Sequence, residues 1–197
     1  MRVSFFLSAF LATLAIATPV ANPEAAQIDY LSARDTFDDT PEYTAAIKAH
    51  SGLVKDHYYW FTLEWPLGAA VGDGDAESKT ELQQLQQKLG FEHVGAVLGQ
   101  ITETTTGKGK NQKTKRDYNA MLYHMVKNNV DPGDTELKSR TWKASSAQNL
   151  KWGGETSSKK ITAAKKAGKD WVSDHKIYNV NGNNCNDFAQ AVVSAAK

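Results

Sequence analysis

Cys185 is the only cysteine among 197 residues, and it follows Asn183-Asn184 directly, where the period Phe188, Ala189, Val192, Val193, Ala196 predicts a helix from about 185 to 196. A thiol in the first turn of a helix meets backbone amides that carry partial positive charge, so its thiolate form is favoured there. The same amides, near Asn184 and Cys185, can hold the oxyanion that forms when a carbonyl is attacked. The chemistry that this position offers is nucleophilic attack on an acyl group. A free cysteine is also a small core hydrophobe, and Phe188 and Ala189 would share its helix face, so the residue type alone leaves both readings open.

A nucleophilic thiol needs a base, and the histidines are His50, His57, His93, His124 and His175. His93 opens the apolar run Val94 to Leu98, where a side chain at a strand end can face a helix terminus, and it is the preferred base. His57 begins another strand and is held in reserve. His175 follows a helix end, where carbonyls accept its protons, and reads as a cap. His50 and His124 carry no local signal. No HExxH segment, paired-cysteine motif, complete calcium loop, phosphate-cradling glycine loop or GxSxG elbow occurs, so neither a cofactor nor a metal is expected.

The elements that must position these groups follow from hydrophobic periodicity. His57 to Trp65 is aromatic and β-branched, stops at Pro66, and predicts a strand. Gly68 to Asp75 reads as a loop. Ser78 to Glu81 has the capping-box pattern, before a short helix on Leu82, Leu85 and Leu89 that Gly90 ends. Phe91 to Glu103 is the expected central strand. Gly107 to Arg116 carries Lys108, Lys110, Lys113, Lys115 and Arg116 and is read as a solvated loop or a contact for an anionic polymer. Tyr118 to Val126 suits strand or helix and is assigned as strand, and Leu137 to Ala144 as another. Thr156 can cap a helix with Ile161, Ala164, Gly168, Trp171 and Val172 inward, and Ile177 to Val180 is a short extended piece before the turn Asn181 to Asn184. This order gives an α+β domain with a mainly antiparallel sheet packed against helices.

Residues 1–17 read as a signal peptide, with Arg2, the apolar run Phe5 to Leu14 and the small-residue site Ala15-Ile16-Ala17. Without them the 23 basic residues become 22 against 22 acidic, a balance with no global pull toward nucleic acid. No later stretch approaches the roughly 20 apolar residues a membrane span requires. Residues 18–49, rich in Ala, Pro, Asp and Thr, are expected to be a leader or pro-segment, and residues 50–197 a single domain. A secreted monomer without disulfides is the expectation, since a chain of this length buries a core without covalent staples.

Two blocks carry a family resemblance. The stretch Phe91-Glu92-His93-Val94-Gly95-Ala96-Val97-Leu98-Gly99, after an aromatic strand, and the stretch Tyr178-Asn179-Val180-Asn181-Gly182-Asn183-Asn184-Cys185-Asn186-Asp187-Phe188-Ala189 resemble the circularly permuted papain-like thiol hydrolases, PPPDE peptidases in particular. The resemblance implies a permuted papain-like fold, with His93 before Cys185 in chain order as base and nucleophile. Lecithin-retinol acyltransferase-like enzymes and cell-wall endopeptidases are related branches. The motif does not identify a third, orienting residue. Asp117, Asn119 and His124 lie on or beside the next strand, and Asn119 is preferred.

The expected activity is therefore a secreted cysteine hydrolase that cleaves an amide, peptide or isopeptide bond, its substrates peptides or amides, proteins included. The alternatives are a thiol acyltransferase with the same mechanism, or a non-enzymatic secreted interaction or effector protein that uses the lysine-rich loop as its contact.

Overall fold

The computed structural model describes residues 36–68, 85–128 and 133–197. Along them run β1 (Thr36–Asp39), α1 (Pro41–Ala49), β2 (Tyr58–Trp65), a helical stretch at residues 85–89, β3 (His93–Thr106), β4 (Lys113–Lys127), β5 (Thr135–Thr141), β6 (Asn149–Thr156), α2 (Ser158–Asp174) and α3 (Cys185–Ala196). The strands form one six-stranded sheet in the order β1-β4-β3-β2-β6, with β5 also paired to β4. Every pairing is antiparallel except that of β1 with β4, which confirms the α+β class and the mainly antiparallel sheet.

The two sheet faces are covered by different helices, and strand alternation decides which residue goes where. On one face Tyr59, Phe61, Leu63 and Trp65 of β2, Val97 and Ile101 of β3, and Tyr118, Ala120 and Leu122 of β4 meet Tyr43 and Ala46 of α1. On the other, Trp60, Ala96, Leu98, Tyr123 and Met125 meet Ala164 of α2 and Phe188, Val192, Val193 and Ala196 of α3. Central strands covered on both sides lose their polar alternation, which is why Val94 to Leu98 is an unbroken apolar run. Gly168 lets α2 approach α3 closely, for a Cβ there would lie 3.2 Å from both Phe188 and Val192.

Residues 36–197 form one compact unit, which takes in residues before the expected boundary at 50. Part of the stretch read as a leader therefore belongs to the domain: β1 pairs with Lys113 to Arg116, and α1 contributes Tyr43 and Ala46 to the core. Thr40 caps α1, its hydroxyl accepting the Tyr43 N–H at 3.1 Å, with Pro41 next and Glu42 in the first turn. Residues 1–35, the capping-box residues 78–81 and residues 69–75 of the expected Gly/Asp loop lie outside the described residues, while residues 85–89 are helical and Gly90 follows with φ 79°.

The remaining differences lie at boundaries. β4 starts at Lys113 inside the expected lysine loop, because β1 and the end of β3 both supply it with a partner, and Arg116 is held there by the Asp39 carboxylate at 2.6 and 2.7 Å. β6 was not expected. Its Gly153 and Gly154 suppress strand propensity, yet the Trp60 ring packs on them so closely that a Cβ on Gly153 would lie 2.1 Å from it. The α2 cap is Ser157, whose hydroxyl accepts the Lys160 N–H at 3.3 Å, while Thr156 ends β6. His175 takes the cap position expected of it, its ring Nδ1 3.0 Å from the Trp171 carbonyl.

Candidate functional site

Cys185 is the first residue of α3, and the turn before it is tightly built. The Asn179 side chain accepts the Asn181 N–H at 2.8 Å, and the Asn179 carbonyl accepts the Asn183 N–H at 2.8 Å, which reverses the chain. Asn184, 5% exposed, is the cap. Its Oδ1 accepts the N–H groups of Asn186 at 2.9 Å and Asp187 at 3.3 Å, and its Nδ2 donates to the Val180 carbonyl at 3.1 Å. The Asn184 N–H donates to the Asp187 carboxylate at 3.2 Å, completing a reciprocal capping box. These bonds change the expected oxyanion site. An anion at the Asn184 amide competes with a carboxylate already bound there, and the amides of Asn186 and Asp187 are engaged by the Asn184 side chain.

The thiol is buried, at 3% exposure, and clusters with Val94 and Ala189 while Phe91 packs against the group. Helix α3 thus sets its first residue on the start of β3. Beside this terminus, Leu85, Lys88, Asn181, Asn184 and Asp187 are among the residues that line an open cleft of about 430 Å³.

His93 precedes Val94, and the pleat turns these neighbours to opposite faces of the sheet. Val94 faces α3 with Cys185, whereas His93 packs its ring against Trp65, on the α1 side, at 5.1 Å between centroids. His124, from β4, lies on that same side. Its Nδ1 is 2.9 Å from His93 Nε2, and Trp65 covers it as well, at 5.8 Å. Gly95 makes room for this pairing, since a Cβ there would sit 3.0 Å from His124 Cβ. Burial, with a smaller contribution from the neighbouring His124, lowers the His93 pKa to about 3. His93 is consequently a neutral imidazole at pH 7. Of the two facing nitrogens, one donates and the other accepts.

The other expected residues lie apart. Asn119 is exposed and sits opposite Gln100, seven residues along β3 from His93 and so roughly 23 Å away at 3.3 Å per residue. Asp117 bonds the Thr40 hydroxyl at 2.7 Å, at the entry to α1. His57, the reserve base, precedes the pair Tyr58–Gln100 at that same distant end and meets Glu155 at 2.7 Å. The structure therefore joins His93 to His124 and leaves Asn119 remote. A signal for His124 was present: once Tyr118, Ala120 and Leu122 face inward along β4, the next even-numbered residue must face inward too.

Among the described residues, no cluster of three or more His, Cys, Asp or Glu side chains could hold a metal ion, and no helix is long and apolar enough to cross a membrane. No family model matches the chain, and neither a curated protein nor a solved structure matches it.

Proposed function

We propose that this chain is an exported thiol hydrolase acting on an amide, peptide or isopeptide bond, with Cys185 as nucleophile and His93 as base. The observation that carries the reading is the seating of Cys185, at the first position of α3, on the first residues of β3, next in sequence to His93. The likeness of both blocks to PPPDE peptidases supports the same assignment, and the apolar run Phe5 to Leu14 supports export.

In this mechanism the His93 ring turns round the open end of β3, from its seat on the α1 side to the Cys185 side, and takes the thiol proton, and the sulfur bonds to the substrate carbonyl carbon. The carbon–nitrogen bond then breaks, the amine leaves with the proton from His93, and water hydrolyses the thioester to regenerate the thiol. His124 takes the orienting part expected of Asn119, because it is the residue bonded to His93 Nε2. The cleft beside Asn184 and Asp187 is the substrate's approach. Burial disfavours a standing imidazolium, so His93 takes the proton only as the sulfur attacks.

The test is alkylation of Cys185 by iodoacetamide at pH 7, followed by mass spectrometry, beside the unfolding rate of the same sample. Labelling much faster than unfolding, slowed about tenfold in a folded His93→Ala protein, is the expected result. Labelling no faster than unfolding, and indifferent to His93, would sink the proposal. The close packing of Cys185 with Val94 and Ala189 favours a second reading, a secreted interaction protein with an inert core thiol, and that outcome would select it.

A further inference from the structure

Residues 85–92 run from the wall of the cleft to the start of β3, and this short path is tied down along its length. Leu85, Lys88 and Leu89 of its helical part line the cleft, together with Asn184 and Asp187 at the entry to α3. Gly90, at φ 79°, turns the chain out of the helical stretch while its N–H donates to the Gln86 carbonyl at 2.7 Å. Phe91 packs against the cluster that Cys185 forms with Val94 and Ala189. The Glu92 N–H donates to the Trp65 carbonyl at 2.7 Å, next to the register pair Trp65–His93 that begins β3.

The Glu92 side chain reaches back along this path. Its carboxylate accepts from Gln86 Nε2 at 2.7 Å and from the Gly68 N–H, in the loop that leaves β2, at 3.0 Å. Gln86 is 7% exposed, so its bond to a charged acceptor is made largely away from water, where losing it leaves a buried polar group to be satisfied. One carboxylate thus joins the helical stretch that walls the cleft, the end of β2 and the start of β3. Phe91 is held between two anchored neighbours, Gly90 and Glu92.

We propose that residues 85–92 form a strap between the cleft and Cys185, and that Glu92 is the positioning residue that fastens it. The inference rests on the reading of Cys185 as the reacting group and of this cleft as its approach. Fastened, the strap keeps Phe91 against the thiol cluster and fixes one wall of the cleft. With the Glu92 bonds broken, the helical stretch moves about Gly90, and the thiol meets solvent through a local opening rather than through unfolding of the domain. A carboxylate suits this task because its two oxygens accept from both donors at once.

The experiment compares the full folded chain with Glu92→Ala, Glu92→Gln and Gln86→Glu. Three rates are read on each: Cys185 alkylation by iodoacetamide, hydrogen exchange of the Gly90 amide, and global unfolding. Glu92→Ala should label about tenfold faster and exchange at Gly90 about tenfold faster, while its global unfolding rate stays within about threefold. Glu92→Gln should stay within about threefold of the parent in all three, since its amide oxygen accepts from Gly68 and its amide nitrogen donates to Gln86 once that amide turns over. Gln86→Glu opposes two carboxylates, so its Gly90 amide should exchange about tenfold faster than the parent's at pH 7 and match it at pH 4, where the pair shares a proton. Unchanged Gly90 exchange or unchanged labelling in Glu92→Ala would overturn the strap. So would an acceleration matched by faster global unfolding, one equally large in Glu92→Gln, or one in Gln86→Glu that persists at pH 4. The hydrolase reading fails separately, on labelling of the parent chain that ignores His93, and the Gly90 exchange then still decides whether Glu92 fastens the strap.

Discussion

The first two residues of β3 lead into opposite chemical environments. On the α1 side His93 Nε2 is bonded to His124 Nδ1 beneath the Trp65 ring, so two imidazoles are buried together. On the α3 side Val94 shares an aliphatic cluster with Cys185 and Ala189, close to a helix terminus whose amides are met by Asn184 and Asp187. The difference teaches that one strand end can carry a protonation-sensitive device on one face and a packing device on the other. Burial acts on them unequally, because it penalises a charged imidazolium far more than a neutral thiol.

The comparison breaks most visibly if the aromatic cover is removed. Trp65→Ala should cost about 3–5 kcal/mol in denaturant unfolding, since Trp65 is 1% exposed and packs on both rings. The acid response comes next. Below pH 6.5 the unfolded chain takes up a proton at His93 that the folded chain refuses until about pH 3. Stability is therefore complete above pH 6.5 and falls as pH drops toward 3, by about 1.4 kcal/mol per pH unit at most. Unfolding free energies at pH 7 and pH 5 measure this slope, and His93→Gln should flatten it.

The α3 side should answer more weakly. Cys185→Ala removes one buried sulfur from the cluster with Val94 and Ala189 and should cost about 1 kcal/mol. A pH-dependent loss on that substitution would show that the two faces are coupled. Asn184→Ala should cost about 1 kcal/mol through the lost cap, read in the same unfolding experiment. Smallest of all, Asn119→Ala, at an exposed position far along β4, should change stability by less than about 0.5 kcal/mol and leave Cys185 labelling unaltered.

The parts of this corner that were legible in the sequence are those in which one local pattern decides the outcome. Asn-Asn-Cys before the period from Phe188 to Ala196 located α3, and the unbroken run after His93 located the central strand. His124 was not legible at the same level, because its role depends on the register that sets Tyr123 opposite Ala96 and so brings the next residue of β4 beside Gly95. β1 and β6 escaped for another reason. Four residues, Thr36 to Asp39, become a strand only because β4 lies alongside, and Gly153-Gly154 become strand residues only because the Trp60 ring needs the space. The start of α1 was readable, since Thr40-Pro41-Glu42 has the chemistry of a helix entry, but the surrounding Ala/Pro/Asp/Thr composition masked it.

The irregularity between Trp60 and Phe61 has a bearing on behaviour at high concentration. An edge strand that stays flat and regular offers a template on which further chains add, the first step toward fibrils. Here the register of β6 on β2 shifts in mid-strand, and Lys151 binds Glu64 at 2.7 Å close by. A bent, charged border of this kind discourages stacking, so concentrated solutions of the folded protein should resist growth into amyloid from this side of the sheet.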